Sequence, residues 1–574
     1  MGKAQICRGE FRRAGSFLAV MAVTAALWGC GGSSSNSNTI TPAAVLTSVS
    51  LTPTAASINV GAYSQFLATA NYSDESTKDV TGQASWSSTD STVASIETEG
   101  QTNPGRVTAV APGNVNITAK YQGVSGVTTL NVTGLNGTLT SFYVSPQDST
   151  IAPGATRQMF SYGRYSDGTA KWVTGSTSFS SSDPSIASVE DQGQASPGLV
   201  TAGTTPGTTT ITATFGGFKK STTLTVTPNA VPIALMDMTS SQQYLSLQGG
   251  LYENVSDTVP TDHDAAGKAA AAEIQPLDQN GLPNAAGAVV FVGIGMSNAT
   301  EEFSSFVSEA AANSGVNHTT LAVEDGAEGS ATACYWTVAQ GQTLTACPEA
   351  TGTLIDNQYD RVRDSVLAIA TTAPSAPAGC GAPPSTPCLT EAQVQVLWIK
   401  NANPMPAISN KGTLCDETVS GCVNDTTKEA VYYESQLGQI IRAAKSRYPN
   451  LKQIFLSTRI YAGYATIGLN PEPYAYEYGF SAKWLIEAQI VQERNGTVDP
   501  VAGDLSYDSG TAAWTTWGTY LWANGSQARS DGTFYLASDF QSDGTHPDTS
   551  GIAKVDNLLM NYFLSSPYTP WFRP

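Results

Sequence analysis

Shifting the chain by 93 positions lays one stretch onto the next. Pro53 then falls on Pro146, Gly61 on Gly154, Tyr72-Ser73-Asp74 on Tyr165-Ser166-Asp167, Val80-Thr81 on Val173-Thr174, and Trp86 on Phe179. The register runs on through Asp90 and Asp183, Val93 and Ile186, Ile96 and Val189, and Val107-Thr108-Ala109 and Val200-Thr201-Ala202. After one inserted residue, Ile117-Thr118-Ala119 meets Ile211-Thr212-Ala213. Self-similarity at a fixed offset marks a duplicated module, so each copy has to bury its own core. Segments such as 115–119 and 129–133 alternate apolar with polar residues, and turn residues such as Pro112-Gly113 separate them. A period of two with regular turns predicts short strands in an all-β sandwich. Neither copy contains cysteine, so packing alone holds them.

The stretch Trp86-Ser87-Ser88 through Asp90 to Val93-Ala94-Ser95-Ile96, matched by Phe179 to Val189, together with Gly-x-Val-Thr-Ala-like segments and the endings Leu130-Asn131-Val132-Thr133 and Leu224-Thr225-Val226-Thr227, resembles the group 2 bacterial immunoglobulin-like domain. The resemblance covers 46–133 and 139–227. It implies spacer modules, with Trp86 and Phe179 as core aromatics rather than a binding platform.

The first 29 residues read as an export signal, with Lys3, Arg8, Arg12 and Arg13 ahead of an apolar run over 17–28 that is too short to span a bilayer. Its end, Leu27-Trp28-Gly29-Cys30, resembles the lipobox of bacterial lipoproteins. That implies a lipidated Cys30, a polar tether over 30–45, and residence in the cell envelope, as an outer-membrane lipoprotein or at the cell surface. The lipid would be the membrane attachment. With 28 Lys and Arg against 47 Asp and Glu, the formal charge is −19, which argues against nucleic acid or an anionic membrane as partner. The remaining cysteines, Cys334, Cys347, Cys380, Cys388, Cys415 and Cys422, are even in number. In an oxidising compartment they read as disulfides, most simply between neighbours, although six cysteines allow fifteen pairings. Metal-site spacing is absent from them, and no metal is expected.

From residue 228 the pattern changes to apolar runs alternating with amphipathic segments. Strands are expected over 288–293, 319–323, 394–399 and 453–457, and helices over 301–313, 356–369, 428–446, 482–493 and 549–564. Dense apolar strands alternating with helices predict an α/β domain with a doubly wound parallel sheet, flavodoxin-like, spanning 228–574. Catalytic groups in such sheets gather at the carboxyl ends of the strands. There the sequence offers Ser297 after Gly293-Ile294-Gly295-Met296, Gly326 and Gly329 after the second strand, and Asn401 and Asn403 after the third. The chain has three histidines. His546 sits in a loop before the last helix with Asp543 three residues ahead, a spacing that lets a carboxylate orient one ring nitrogen while the other faces a serine hydroxyl.

Ser after the first strand, Gly after the second, Asn after the third and Asp-x-x-His before the last helix together resemble the SGNH hydrolase (GDSL-like esterase) family over residues 285–565. The resemblance implies Ser297 as nucleophile, His546 as general base and acid, and Asp543 as orienting carboxylate. It also implies an oxyanion hole from the Ser297 amide, the Gly329 amide and the side chain of Asn401 or Asn403, with no cofactor. Three departures stand out: Met296 replaces the acidic residue before the serine, the family's Gly-x-Asn-Asp is not reproduced around Asn401, and Gly326 competes with Gly329. Residues 394–402 resemble the third block of carbohydrate acetylesterases, which implies an acetylated polysaccharide as the extracellular ester. The rival α/β-hydrolase pattern wants Gly-x-Ser-x-Gly, and Ala299 stands where its last glycine would be. The expected function is a secreted serine esterase; the alternative is a non-catalytic surface adhesin or glycan-binding protein. Tyrosines over 459–464 and 472–478 fit either a sugar cleft or buried packing, and Lys400 and Arg459 are expected to pair with Glu324 or Asp325.

Overall fold

In the computed structural model the described residues are 44–60, 63–74, 76–98, 104–133, 137–166, 169–338, 357–381 and 385–574. The export signal, Cys30, the tether up to residue 43, and Cys347 lie outside them.

The two repeats fold alike. In the first, Ala55–Asn59, Val124–Thr133, Gly113–Tyr121 and Ser85–Ser88 form one four-stranded sheet, faced by Leu46–Thr52, Leu67–Tyr72 and Thr77–Asp79. The second repeats this order with Ser149–Ile151, Phe218–Val226, Gly207–Phe215 and Ser178–Ser181, and with Leu139–Ser145, Phe160–Tyr165 and Ala170–Trp172. The period-two pattern does the sorting: along Gly113–Tyr121, Val115, Ile117, Ala119 and Tyr121 point inward and the residues between them do not. Trp86 and Phe179 lie in the two cores, as their equivalent positions predict.

The C-terminal domain is built on five parallel strands, β1 (Val289–Gly295), β2 (Leu321–Asp325), β3 (Val394–Lys400), β4 (Gln453–Leu456) and β5 (Trp514–Trp517), in the order 2-1-3-4-5. Among the described residues six helices surround it: α1 (Thr261–Glu273), α2 (Ser297–Ala312), α3 (Gln358–Ser365), α4 (Glu429–Arg447), α5 (Tyr474–Asn495) and α6 (Thr549–Ser565). Every residue of β1, β3, β4 and β5 is buried, because helices cover both faces. Val289 and Phe291 join the core formed with α2 and α6, while Val290, Val292 and Ile294 join the core formed with α4 and α5. Strand β3 keeps this alternation only after an irregularity in its pairing with β1, where Val394 opposes Val290 and Val396 opposes Phe291. Gln395 is the extra residue. Its amide is held by the backbone of Gln275, donating to the carbonyl (2.8 Å) and accepting from the N–H (3.2 Å).

Four expected strands and five expected helices are present with shifted ends. Strand β5 and helix α1 were not anticipated. The cysteine pairs Cys380–Cys388 and Cys415–Cys422 are disulfides.

The second sandwich, expected as a spacer, is docked against the C-terminal domain. The Gln147 amide donates to the Tyr474 hydroxyl (3.0 Å), the Thr413 amide to the Gln147 carbonyl (3.0 Å) and the Thr413 hydroxyl to the Asp148 carbonyl (2.9 Å). Tyr143, Phe160, Tyr162 and Trp172 face Met405 and Ile408 across a small apolar cavity. Those two residues belong to the chain leaving β3.

Candidate active site

In the order 2-1-3-4-5 the chain direction of winding reverses between β1 and β3, which opens a crevice at their carboxyl ends. Ser297 stands there, the first residue of α2, two residues beyond the end of β1. Gly293 and Gly295 make the approach possible. A Cβ on Gly293 would lie 2.3 Å from the Phe303 ring, and one on Gly295 would lie 2.0 Å from the Lys400 carbonyl oxygen. Gly293 therefore serves close helix–sheet packing, and Gly295 the close approach of β1 to the end of β3.

His546 joins the other two expected residues. Its Nε2 lies 2.8 Å from Ser297 Oγ and its Nδ1 lies 2.5 Å from Asp543 Oδ2. The other carboxylate oxygen of Asp543 accepts from the amides of Thr545 (2.9 Å) and His546 (3.0 Å). Burial works to raise the Asp543 carboxyl, but the hydrogen bonds from the His546 ring and from these amides outweigh it and hold the group below its ordinary range. An ionised Asp543 accepts from Nδ1–H, which leaves the Nε2 lone pair for the serine hydroxyl. The histidine loop is tied to α2 by Asn298, whose side-chain amide donates to the Thr545 carbonyl (3.0 Å). Gln541 reinforces the tie by donating to Glu301 (3.0 Å), one turn beyond Ser297. Sequence reasoning did not single out Asn298 or Glu301, since neither belongs to a catalytic spacing.

The other expected donors divide. Ser297, Asn298 and Ala299 carry the first amides of α2, and the first backbone bond across that end runs from Thr300 to Met296 (3.0 Å). The Glu328 amide donates to the Gly295 carbonyl (3.2 Å), which brings exposed Gly329 to the end of β1, whereas the Gly326 amide is already given to the Gly293 carbonyl (2.8 Å). Asn401 uses one side-chain N–H on the Ala331 carbonyl (3.2 Å). Asn403 is withdrawn from the crevice, its side-chain amide donating to Glu429 (2.9 Å) and Gln436 (2.6 Å) on α4.

The other two histidines are elsewhere. His263 is buried in α1, stacked on Trp514 with its Nε2 3.0 Å from the Thr515 carbonyl oxygen, and burial drives its pKa down to about 4. His318 contacts the Asn313 carbonyl oxygen (2.9 Å).

The expected charge pairing is corrected, and the tyrosines divide between the two readings left open for them. Lys400 pairs with Glu302 on α2, not with Glu324 or Asp325. Arg459 pairs with neither. Tyr474, Tyr476 and Tyr478 are buried packing within α5, while Tyr461 and Tyr464 are half-buried on the loop beside the histidine turn. Glu324 and Asp325, with no cation at hydrogen-bond distance among the described residues, are pushed up to about 7 by burial. Among the described residues no three His, Cys, Asp or Glu side chains gather to hold a metal, and no helix is long and apolar enough to cross a membrane.

Residues 45–132 and 138–226 match the model of the bacterial Ig-like domain (group 2), each within one residue of the expected limits. The two repeats are group 2 bacterial Ig-like domains. The Ig-like pair thus lies within the N-terminal half of the chain. A stretch of 271 residues is 34% identical to Ice-binding protein 1 of Shewanella frigidimarina, covering 45% of this chain and 28% of that protein. Among solved structures, domains 5–6 of the S-layer protein SbsC match at 17% identity over 32% of this chain and 98% of that one, with a TM-score of 0.15. The Yersinia pseudotuberculosis adhesin InvE matches at 14% identity over 32% of this chain and 59% of that one, with a TM-score of 0.13. At those scores neither structure bears on function.

Proposed function

We propose that residues 228–574 form a serine ester hydrolase of the SGNH type, exported and held at the cell envelope through Cys30, and that it removes O-acyl groups, acetyl above all, from an extracellular polysaccharide. The observation that carries this reading is the unbroken line from Ser297 Oγ through both nitrogens of His546 to Asp543 Oδ2, at the switch point of a 2-1-3-4-5 sheet. In the reaction, His546 Nε2 accepts the Ser297 proton as Oγ attacks the ester carbonyl, and Asp543 steadies the imidazolium that results. The carbonyl oxygen becomes an oxyanion facing the free amides at the start of α2, where the helix dipole also favours negative charge. The Gly329 amide and the remaining N–H of Asn401 complete the donor set. His546 then returns the proton to the departing alkoxide, and water repeats the sequence to release the acid. Tyr461 and Tyr464, edge-to-face with ring centroids 5.0 Å apart, offer apolar faces for a sugar ring beside the histidine loop. Ser297→Ala tests the proposal with p-nitrophenyl acetate and acetylated glycans. Loss of turnover with an unchanged melting temperature supports it; unchanged turnover sinks it.

A second reading, a surface adhesin whose C-terminal domain binds glycan without turning it over, draws support from the Ig-like pair and the stretch shared with Ice-binding protein 1. Glycan binding by purified protein that shows no esterase activity and no fluorophosphonate labelling at Ser297 would decide for it.

A further inference from the structure

Behind β3, on the side facing α4 and α5, lies a small cavity lined by Asn401, Tyr433, Ser457, Thr458, Arg459 and Tyr478. It has room for one small particle. Arg459 follows the end of β4 and is 3% exposed. Its Nε and Nη2 are sealed from solvent with no acceptor among the described residues. A buried guanidinium without a partner is costly, so an acceptor for it is expected in or beside the cavity.

The neighbouring carboxylates do not supply it. Those near enough to act on Arg459 through the field are Glu472, Glu302 and Asp543. Glu472 accepts from the amides of Ala462 and Tyr476 and from the Trp522 indole. Glu302 is taken by Lys400, and Asp543 by His546 and two amides. The Tyr478 hydroxyl donates to Glu429 and accepts from the Asn403 amide, and the Tyr433 hydroxyl donates to the Asn401 carbonyl.

The remaining lining groups are also donors. Ser457 Oγ already accepts from the Trp398 indole (2.9 Å) and the Thr519 amide (3.3 Å), so its own proton is what it has left to give. Thr458 Oγ1 likewise accepts from the amides of Leu521 (2.8 Å) and Trp522 (3.1 Å). Asn401 Oδ1 accepts from the Ala402 amide (2.7 Å). A water molecule placed here would meet mostly donors and would leave the charge of Arg459 uncompensated. A monatomic anion needs no acceptor and brings the charge that Arg459 lacks.

We propose that this cavity is a halide site, occupied by chloride held by Arg459 with Ser457 and Thr458. The site goes beyond the esterase reading and stands whether or not Ser297 is a nucleophile. It places a fixed anion behind Asn401, on the opposite side of β3 from the Lys400–Glu302 pair.

Crystals of the full chain soaked in bromide test it directly. An anomalous peak within hydrogen-bonding reach of the Arg459 nitrogens is expected; a cavity that refines as water, or holds nothing, overturns the proposal. In solution, the melting temperature of the wild type should rise as chloride replaces gluconate at constant ionic strength, because a ligand that binds the folded state stabilises it by mass action. In Arg459→Met that rise should vanish, and an undiminished rise in the variant counts against the site. If Arg459→Met fails to fold, the bromide peak in the wild-type protein still decides the matter.

Discussion

Lys400 and Glu302 form a fully buried ion pair that joins the end of β3 to the second turn of α2, beneath Ser297. Burial works against both charges, raising the carboxyl and lowering the ammonium, and their mutual attraction opposes it. Removing one partner leaves the other charge stranded, so Lys400→Met should cost about 3–5 kcal/mol in urea unfolding. The double variant Lys400→Met with Glu302→Leu should recover most of that loss. If the single and double variants are equally unstable, the pair is not the unit described here.

The catalytic reading makes a graded prediction. Asp543→Asn should keep the fold and lower kcat on the order of 10⁴-fold, because an amide in that position no longer fixes the histidine tautomer. Ser297→Ala should lose at least as much, together with fluorophosphonate labelling. Equal activity of Asp543→Asn and wild type would remove the carboxylate from the mechanism.

The histidine turn depends on Gly544. It has φ +64°, and a Cβ there would lie 1.9 Å from the Tyr464 carbonyl oxygen. Gly544→Ala should therefore cost clearly more than Gly532→Ala, which also has positive φ (+86°) but meets nothing within 4 Å and should cost roughly 1 kcal/mol from backbone strain alone. Chemical denaturation of the two variants side by side measures the difference. Matching losses would show that the loop gives way to the added methyl group.

Stability should fall as pH rises from mildly acidic to neutral. Burial pushes Glu324, Asp325, Glu477 and Asp556 up to about 7 and Glu434 up to about 8. A carboxyl whose folded pKa exceeds its unfolded one holds its proton only in the folded state between those values, so its stabilisation is complete near pH 4 and is lost by about pH 8. Asp543, with its pKa lowered, works in the opposite sense only below the ordinary carboxylate range, while His263, held down to about 4, works in the opposite sense between there and the ordinary imidazole range and is outweighed by the five carboxyls. Melting temperatures from pH 4 to pH 8 at fixed ionic strength check this; a curve that climbs throughout the window contradicts it.

Docking of the second Ig-like domain predicts a difference between two truncations. Deleting residues 1–133 should leave the melting of the C-terminal domain unchanged. Deleting 1–227 also removes Gln147 and Asp148 from Tyr474 and Thr413, and strips Trp172 from Gly468, so that domain should melt earlier. Identical melting of both truncated proteins would return the second domain to the status of a spacer.

The repeat and the Asp543-His546 spacing were legible in the sequence because both are local: one is a fixed offset, the other a three-residue step inside a turn. What escaped the sequence depends on distant partners. β5 reads Trp514-Thr515-Thr516-Trp517, too short and too polar to announce a buried strand. It is buried because Gln489 accepts from the Thr515 amide (2.8 Å) and the Tyr252 and Thr516 hydroxyls meet at 2.8 Å. Helix α5 is buried nearly all round, so its tyrosines show no stripe that separates packing from a binding face. Helix α1, rich in alanine and acidic residues, shows little stripe either. The partner of Lys400 is set by the side of β3 on which it emerges, and no pattern within 394–400 reveals that.

That side is decided at Gln395. Without the extra residue, everything from Val396 onward would arrive half a cycle out of phase: Trp398 would turn from Phe303 toward α4 and α5, Lys400 would reach the donor-rich cavity already holding Arg459, and Asn401 would confront Glu302. One glutamine, held by the backbone of Gln275 at the far end of the strand, thus acts as the reading frame of the site, and a single-residue deletion some distance from Ser297 would scramble it as thoroughly as any substitution within it.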